Sequence, residues 1–138
     1  MKHARIVHEG QVHAATEREG QLLLPDGRLL APEAVTWLPP LAPLPRPRTI
    51  FALGLNYAAR ASRLDFKAPQ EPLVFLKGEN ALVGHRGRTR RPAGVEFMHY
   101  ECELTVVIGR TARKVRRDDA YDFDSGYTIA NDYAVRDY

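Results

Sequence analysis

Five prolines crowd residues 39–47 (Pro39, Pro40, Pro43, Pro45 and Pro47), and no regular element can run through such a stretch. Each ring holds φ at about −65° and removes a backbone donor, which excludes a helix interior and a sheet centre. The backbone there favours an extended, polyproline-like path. The run therefore reads as a stiff connector, residues 39–48, between a small N-terminal domain, residues 1–38, and a larger one, residues 49–138. A docking segment for a proline-recognising module is the weaker reading.

Before the connector the chain reads as short strands and tight turns. Ala4 to His8 and Gln11 to Ala15 are separated by Glu9-Gly10, and Gln21 to Leu24 and Arg28 to Leu30 flank Pro25-Asp26-Gly27. Proline presets φ in such a turn and glycine accepts positive φ. A β meander follows, expected to pack on or cap something larger, because so few residues bury little apolar surface.

After the connector, Thr49 to Leu55 is a compact apolar run readable as a buried strand, and Tyr57 to Leu64 holds helix formers without a breaker. Leu73 to Leu76 is a second apolar run. Residues 84–94 are rich in Gly, Arg and Pro and read as an exposed loop. Tyr100 to Ile108 is the strongest strand signal in the chain, Asp118 to Phe123 reads as a short helix, and Gly126 opens a last strand, Tyr127 to Val135. These elements predict a β-rich mixed α+β fold.

Composition narrows the function classes. With 44% hydrophobic and 27% charged residues in 138, the chain has the makeup of a soluble globular protein. It holds no apolar run of bilayer length, and Met-Lys-His-Ala-Arg lacks the apolar core of a signal peptide. No membrane partner is therefore expected. The single cysteine, Cys102, excludes an internal disulfide framework and fits a reducing cytoplasm. The net charge of +3 is too mild to imply nucleic acid. Only Lys2, Lys67, Lys77 and Lys114 are lysines, the other bases being arginine, and no sequence feature separates the causes of that skew.

Glu101-Cys102-Glu103 lies inside the strongest strand. Side chains alternate along a strand, so Glu101 and Glu103 share one face while Cys102, Leu104, Val106 and Ile108 share the other. Carboxylates at this spacing are about 6–7 Å apart along the backbone and repel each other. Burying the pair is costly unless a cation lies between them, and a hard divalent cation takes oxygen ligands. A solvated strand face with alternate charges is the competing account. Asp132, a third acid among Ile129, Ala130, Tyr133, Ala134 and Val135, shifts the balance toward a metal site.

Residues 99–109 (HYECELTVVIG) resemble the metal-binding strand of the fumarylacetoacetate hydrolase family, and residues 126–137 (GYTIANDYAVRD) resemble its partner strand. Phe66-Lys67-Ala68-Pro69 and residues 72–77 (PLVFLK) point to its hydroxyheptadienedioate isomerase and decarboxylase branch, which acts in meta-cleavage breakdown of hydroxyphenylacetate. The resemblance implies a β-sandwich roll, incomplete here, after the small N-terminal β domain. It implies that Glu101, Glu103 and Asp132 hold Mg²⁺ or Mn²⁺ and that Arg136 binds a substrate carboxylate. Lys77 is implied to line the cavity, and His99, on the glutamates' face, is expected to act through a hydrogen bond to the ligand shell, direct ligation being the alternative that a hard cation favours less. The implied reaction is isomerisation or decarboxylation of an unsaturated oxo- or hydroxy-dicarboxylate by a homodimer. Alternatives within the family are a C–C bond hydrolase, an oxaloacetate decarboxylase and a non-catalytic remnant.

Two departures from the family pattern bear on this. Residues 56–63 (NYAARASR) stand where the family usually reads Asn-Tyr-x-x-His-x-x-Glu, an acid–base pair on a lid helix. Arg60 and Arg63 replace that pair; they stay protonated, cannot act as a general base near neutrality, and are expected to grip a distal carboxylate. The chain also stops at Asp137-Tyr138, where family members continue, so it is expected to represent roughly half of one. The rival from another class is a nucleic-acid-binding module built on Arg86, Arg88, Arg90 and Arg91 with Arg110, Arg113, Lys114, Arg116 and Arg117. No aromatic stacking residues interleave them and Asp118-Asp119 follow directly, so solvated surface is the better account.

Overall fold

The computed structural model describes residues 1–40, 49–57 and 69–135. The chain is strand-rich and falls into two compact units, Met1–Thr89 and Arg90–Tyr138. The expected connector from residue 41 onward and the expected helix from residue 58 onward lie outside the described residues. So do Arg60, Arg63 and Arg136.

The first unit opens with a five-stranded antiparallel sheet of spatial order β4-β3-β2-β1-β5. Its strands are β1 (His3–His8), β2 (Gln11–Arg18), β3 (Gln21–Leu23), β4 (Leu29–Leu30) and β5 (Thr36–Leu38). The meander was legible; β5, which returns to pair with β1, was not. Two tight hairpins set the register. His8 pairs with Gln11 across Glu9-Gly10, and Arg18 with Gln21 across Glu19-Gly20. Both loop residues of each have positive φ (49° and 76°; 52° and 81°), the twist that matches the flanking strands. At Glu19-Gly20 the Glu17 carboxylate accepts the Gly20 N–H at 2.9 Å, which holds its pKa below the ordinary glutamate value.

One face of this sheet carries the core. Ile6, Ala15, Leu22 and Leu24 are buried, with Ala4, Leu30, Val35 and Trp37 packed against them. A segment from the far end of the unit docks on β5. The His85 ring meets Trp37 edge-on at 4.7 Å, and Arg86 Nη1 reaches Glu33 Oε1 at 3.0 Å. Gly84 lies so close to β5 that a Cβ there would sit 2.2 Å from the Trp37 carbonyl oxygen. Residues 84–94 do lack regular structure, but Gly84–Arg86 is an anchor rather than a purely solvated loop.

The same unit carries β6 (Ile50–Gly54) and β7 (Leu73–Lys77), an antiparallel ribbon in which Ile50 faces Lys77 and Gly54 faces Leu73. A 3₁₀ turn, Glu79–Ala81, follows. In the second unit, β8 (Cys102–Ile108) pairs antiparallel with β9 (Asp124–Asn131). The stretch read as a short helix is a 3₁₀ helix, Arg117–Phe123.

Strand β9 begins two residues before Gly126 because a bulge shifts the pairing, from Val107 opposite Gly126 to Ile108 opposite Asp124. It ends at Asn131, sooner than the expected Val135. Beyond it, the two chains are joined by the Asp132 N–H to Glu101 carbonyl bond and by an isolated bridge between His99 and Ala134. The even-numbered apolar residues of β8 stand out to solvent; the odd-numbered ones are half-buried. Among the described residues no helix is long and apolar enough to cross a membrane.

Candidate functional site

The β8–β9 register decides which carboxylates meet. Cys102 lies opposite Asn131, Glu103 opposite Ala130, and His99 opposite Ala134. The same register sets Glu101 opposite Asp132, and the Asp132 N–H donates to the Glu101 carbonyl at 2.8 Å. Hydrogen-bonded antiparallel partners have Cα atoms about 5.5 Å apart. By strand alternation Glu101, Glu103 and Asp132 share one face of the ribbon, and His99 lies on it too. All four are half-buried. Cys102 is exposed on the reverse face, so its thiol is no part of this group.

The donor set suits a hard divalent cation, since it offers only carboxylate oxygens from a face partly screened from water. The side chains are not drawn together. Among the described residues, no three His, Cys, Asp or Glu groups converge as a ready ligand set. The backbone thus brings the three acids to one face without gathering their oxygens at one point. The His99 ring packs edge-on against Phe97 at 4.7 Å. Lys77 ends β7 in the other unit, half-buried and on the ribbon face it shares with Ile50, Ala52 and Phe75.

One residue was overlooked. Asn131 Oδ1 accepts the Glu101 N–H at 3.1 Å, and its Nδ2 donates to Tyr133 Oη at 3.1 Å. Asparagine is depleted in strands, so its presence directly before an acid in an apolar strand was the available signal.

The chain is strand-rich and brings three carboxylates to one ribbon face; comparison with known proteins gives the family. Residues 49–138 match the family model described as fumarylacetoacetate (FAA) hydrolase C-terminal. The chain belongs to the fumarylacetoacetate hydrolase family, in agreement with the motifs at residues 99–109 and 126–137.

Among curated relatives, the homoprotocatechuate catabolism bifunctional isomerase/decarboxylase of Escherichia coli is 59% identical over 96 residues, covering 69% of this chain and 22% of that protein. An uncharacterized protein of Archaeoglobus fulgidus is 37% identical over 134 residues, 96% of this chain and 52% of that one. Among solved structures, 5-carboxymethyl-2-hydroxymuconate delta-isomerase from Mycobacterium smegmatis superposes with a TM-score of 0.80 at 33% identity. The match covers 99% of this chain and 56% of the other. The chain thus spans between about a fifth and about half the length of these proteins.

Proposed function

We propose that this chain forms the metal-binding part of a divalent-cation-dependent isomerase/decarboxylase. Its substrate would be an unsaturated oxo- or hydroxy-dicarboxylate from the breakdown of 4-hydroxyphenylacetate or homoprotocatechuate. The observation that carries the reading is the shared half-buried face of Glu101, Glu103 and Asp132, in a chain that over 96 residues is 59% identical to an isomerase/decarboxylase of homoprotocatechuate catabolism. In this reading the three carboxylates hold Mg²⁺ or Mn²⁺. When bound, the cation stabilises negative charge developing on substrate oxygens as a proton moves or CO₂ leaves.

The chain's own residues bind and orient. Arg136, following the metal aspartate, takes one substrate carboxylate through the planar fork of its guanidinium. Arg60 and Arg63 take the distal one, and as permanent cations they do no general-base work. Lys77 presents an ammonium group to the substrate cavity. His99 restrains the ligand shell by a hydrogen bond. The reading also includes a β-sandwich roll for the catalytic domain and a cytoplasmic homodimer.

The test is Mn²⁺ titration of the 138-residue chain by calorimetry, with metal-supplemented ultraviolet assays on a hydroxyheptadienedioate and on oxaloacetate. Saturable Mn²⁺ binding with turnover of the heptadienedioate is expected. A chain that binds no Mn²⁺ overturns the reading, and turnover of oxaloacetate alone moves the substrate class to the shorter oxo-acid.

A further inference from the structure

The amide of Asn131 holds the place where the β8–β9 ladder meets the carboxylate pair. Its Oδ1 accepts the Glu101 N–H at 3.1 Å, and its Nδ2 donates to Tyr133 Oη at 3.1 Å. The next residue, Asp132, sends its own N–H to the Glu101 carbonyl at 2.8 Å. The N–H and the carbonyl of Glu101 are thereby tied to two consecutive residues of the facing chain, the first through a side chain and the second through backbone. Serine and alanine lack one or both groups, and aspartate keeps both contacts only with the Tyr133 hydroxyl turned to donate, which also adds a negative charge beside Glu101 and Asp132.

We propose that Asn131 is a positioning residue. It fixes the backbone of Glu101 and the ring of Tyr133, and so sets the separation of the Glu101 and Asp132 carboxylates. The proposal rests on the metal-site reading of those two acids. Asn131 is itself exposed, so its hydrogen bonds compete with water and contribute little to global stability. Their effect falls on geometry. Glu101 precedes the first residue of β8, where the ladder thins to isolated pairings, and its carboxylate is as well placed as its backbone is held.

The experiment compares the wild-type 138-residue chain with Asn131→Ala, Asn131→Asp and Tyr133→Phe. Three quantities are read: amide hydrogen exchange at Glu101 by NMR, Mn²⁺ affinity by calorimetry, and the melting temperature. Asn131→Ala is expected to speed exchange at Glu101 and weaken Mn²⁺ binding, each about tenfold, with a near-unchanged melting temperature. Asn131→Asp, which keeps the acceptor, is expected to retain slow exchange at Glu101. Tyr133→Phe should lie between wild type and Asn131→Ala in both exchange and affinity. Unchanged exchange and affinity in Asn131→Ala overturn the proposal, as does a loss of affinity accompanied by general melting. If the wild type itself binds no Mn²⁺, the metal-site reading fails, and the Glu101 exchange rate alone then decides whether Asn131 holds that backbone.

Discussion

Glu101 and Asp132 face each other across the second ribbon, joined by a 2.8 Å bond from the Asp132 N–H to the Glu101 carbonyl. Two carboxylates so placed on a half-buried face repel each other unless positive charge lies between them. Replacing either by its amide removes a charged oxygen donor with little change of shape. Glu101→Gln and Asp132→Asn are each expected to weaken Mn²⁺ binding by at least about tenfold, while the melting temperature without metal stays level or rises. Calorimetry and thermal melts check both halves. Unaltered Mn²⁺ affinity in both variants would remove these residues from the ligand set.

Lys77 is the half-buried last residue of β7, opposite Ile50. In the proposed reading its ammonium contacts substrate and, being a cation without a lone pair, takes no part in holding the metal, so its loss separates turnover from metal binding. Lys77→Ala is expected to lower kcat by about a hundredfold, the low end of the usual range for one positioned catalytic group, with Mn²⁺ affinity nearly unchanged. Steady-state kinetics beside calorimetry read the two quantities. An unchanged kcat would return Lys77 to a purely structural place at the strand end.

What the sequence made legible follows from how local each signal is. Strand β8 was readable because Glu101 and Glu103 alternate with Cys102 and Leu104 and lead into a run of Thr, Val and Ile, and the face shared by the two glutamates came with that period. The short helix read at Asp118 to Phe123 is present as a 3₁₀ helix, Arg117–Phe123, whose closer hydrogen-bond span is not specified by the acidic start that marked it. Strand β5 has three residues between Pro32 and Pro39, too few to show a period; it is held by pairing with β1, remote in sequence. Gly126 looked like a strand start because the bulge that lets β9 begin at Asp124 is a property of two strands, not one. The register that sets Glu101 against Asp132 and the reach of Asn131 to Glu101 are likewise long-range facts. A motif resemblance can name such residues, but a single strand's pattern cannot pair them.

Gly84 meets the β5 backbone more closely than any side chain permits. A Cβ there would lie 2.2 Å from the Trp37 carbonyl oxygen and 2.7 Å from its carbon, and backbone atoms of a paired strand have little room to give. Gly84→Ala is expected to destabilise the first unit by about 1–3 kcal/mol, a typical overpacking cost. Trp37, the single tryptophan, reports the change directly by fluorescence during denaturation. A wild-type midpoint in Gly84→Ala would show that the anchor shifts freely.

The same anchor carries an acid-sensitive contact. The Arg86 guanidinium donates to the Glu33 carboxylate at 3.0 Å and holds its pKa below the ordinary glutamate value of 4.5. A carboxylate depressed in the folded state contributes stability that is fully present above its unfolded pKa and disappears as pH falls through the folded one. The melting-temperature difference between wild type and Glu33→Gln is therefore expected to be level above pH 4.5 and to shrink toward zero below it. Both groups are largely exposed, so the difference should be small and should decline with added salt. A difference that grows on acidification would have the wrong sign for this pairing.

Tyr127 gives the alkaline counterpart. Its hydroxyl donates to the Asp124 carboxylate beside the β9 bulge, and that bond raises the phenol above its ordinary value of 10.0. Ionising the phenol would remove the shared proton and set two negative groups side by side. With the folded pKa above the unfolded one, the contribution to stability is present below pH 10 and is lost as pH rises through the folded value. Ultraviolet titration of the six tyrosines is expected to show a late component that Tyr127→Phe abolishes and Asp124→Asn moves to lower pH. If Asp124→Asn leaves the tyrosinate curve unchanged, the hydroxyl does not depend on that carboxylate in solution, and the bulge is held by backbone pairing alone.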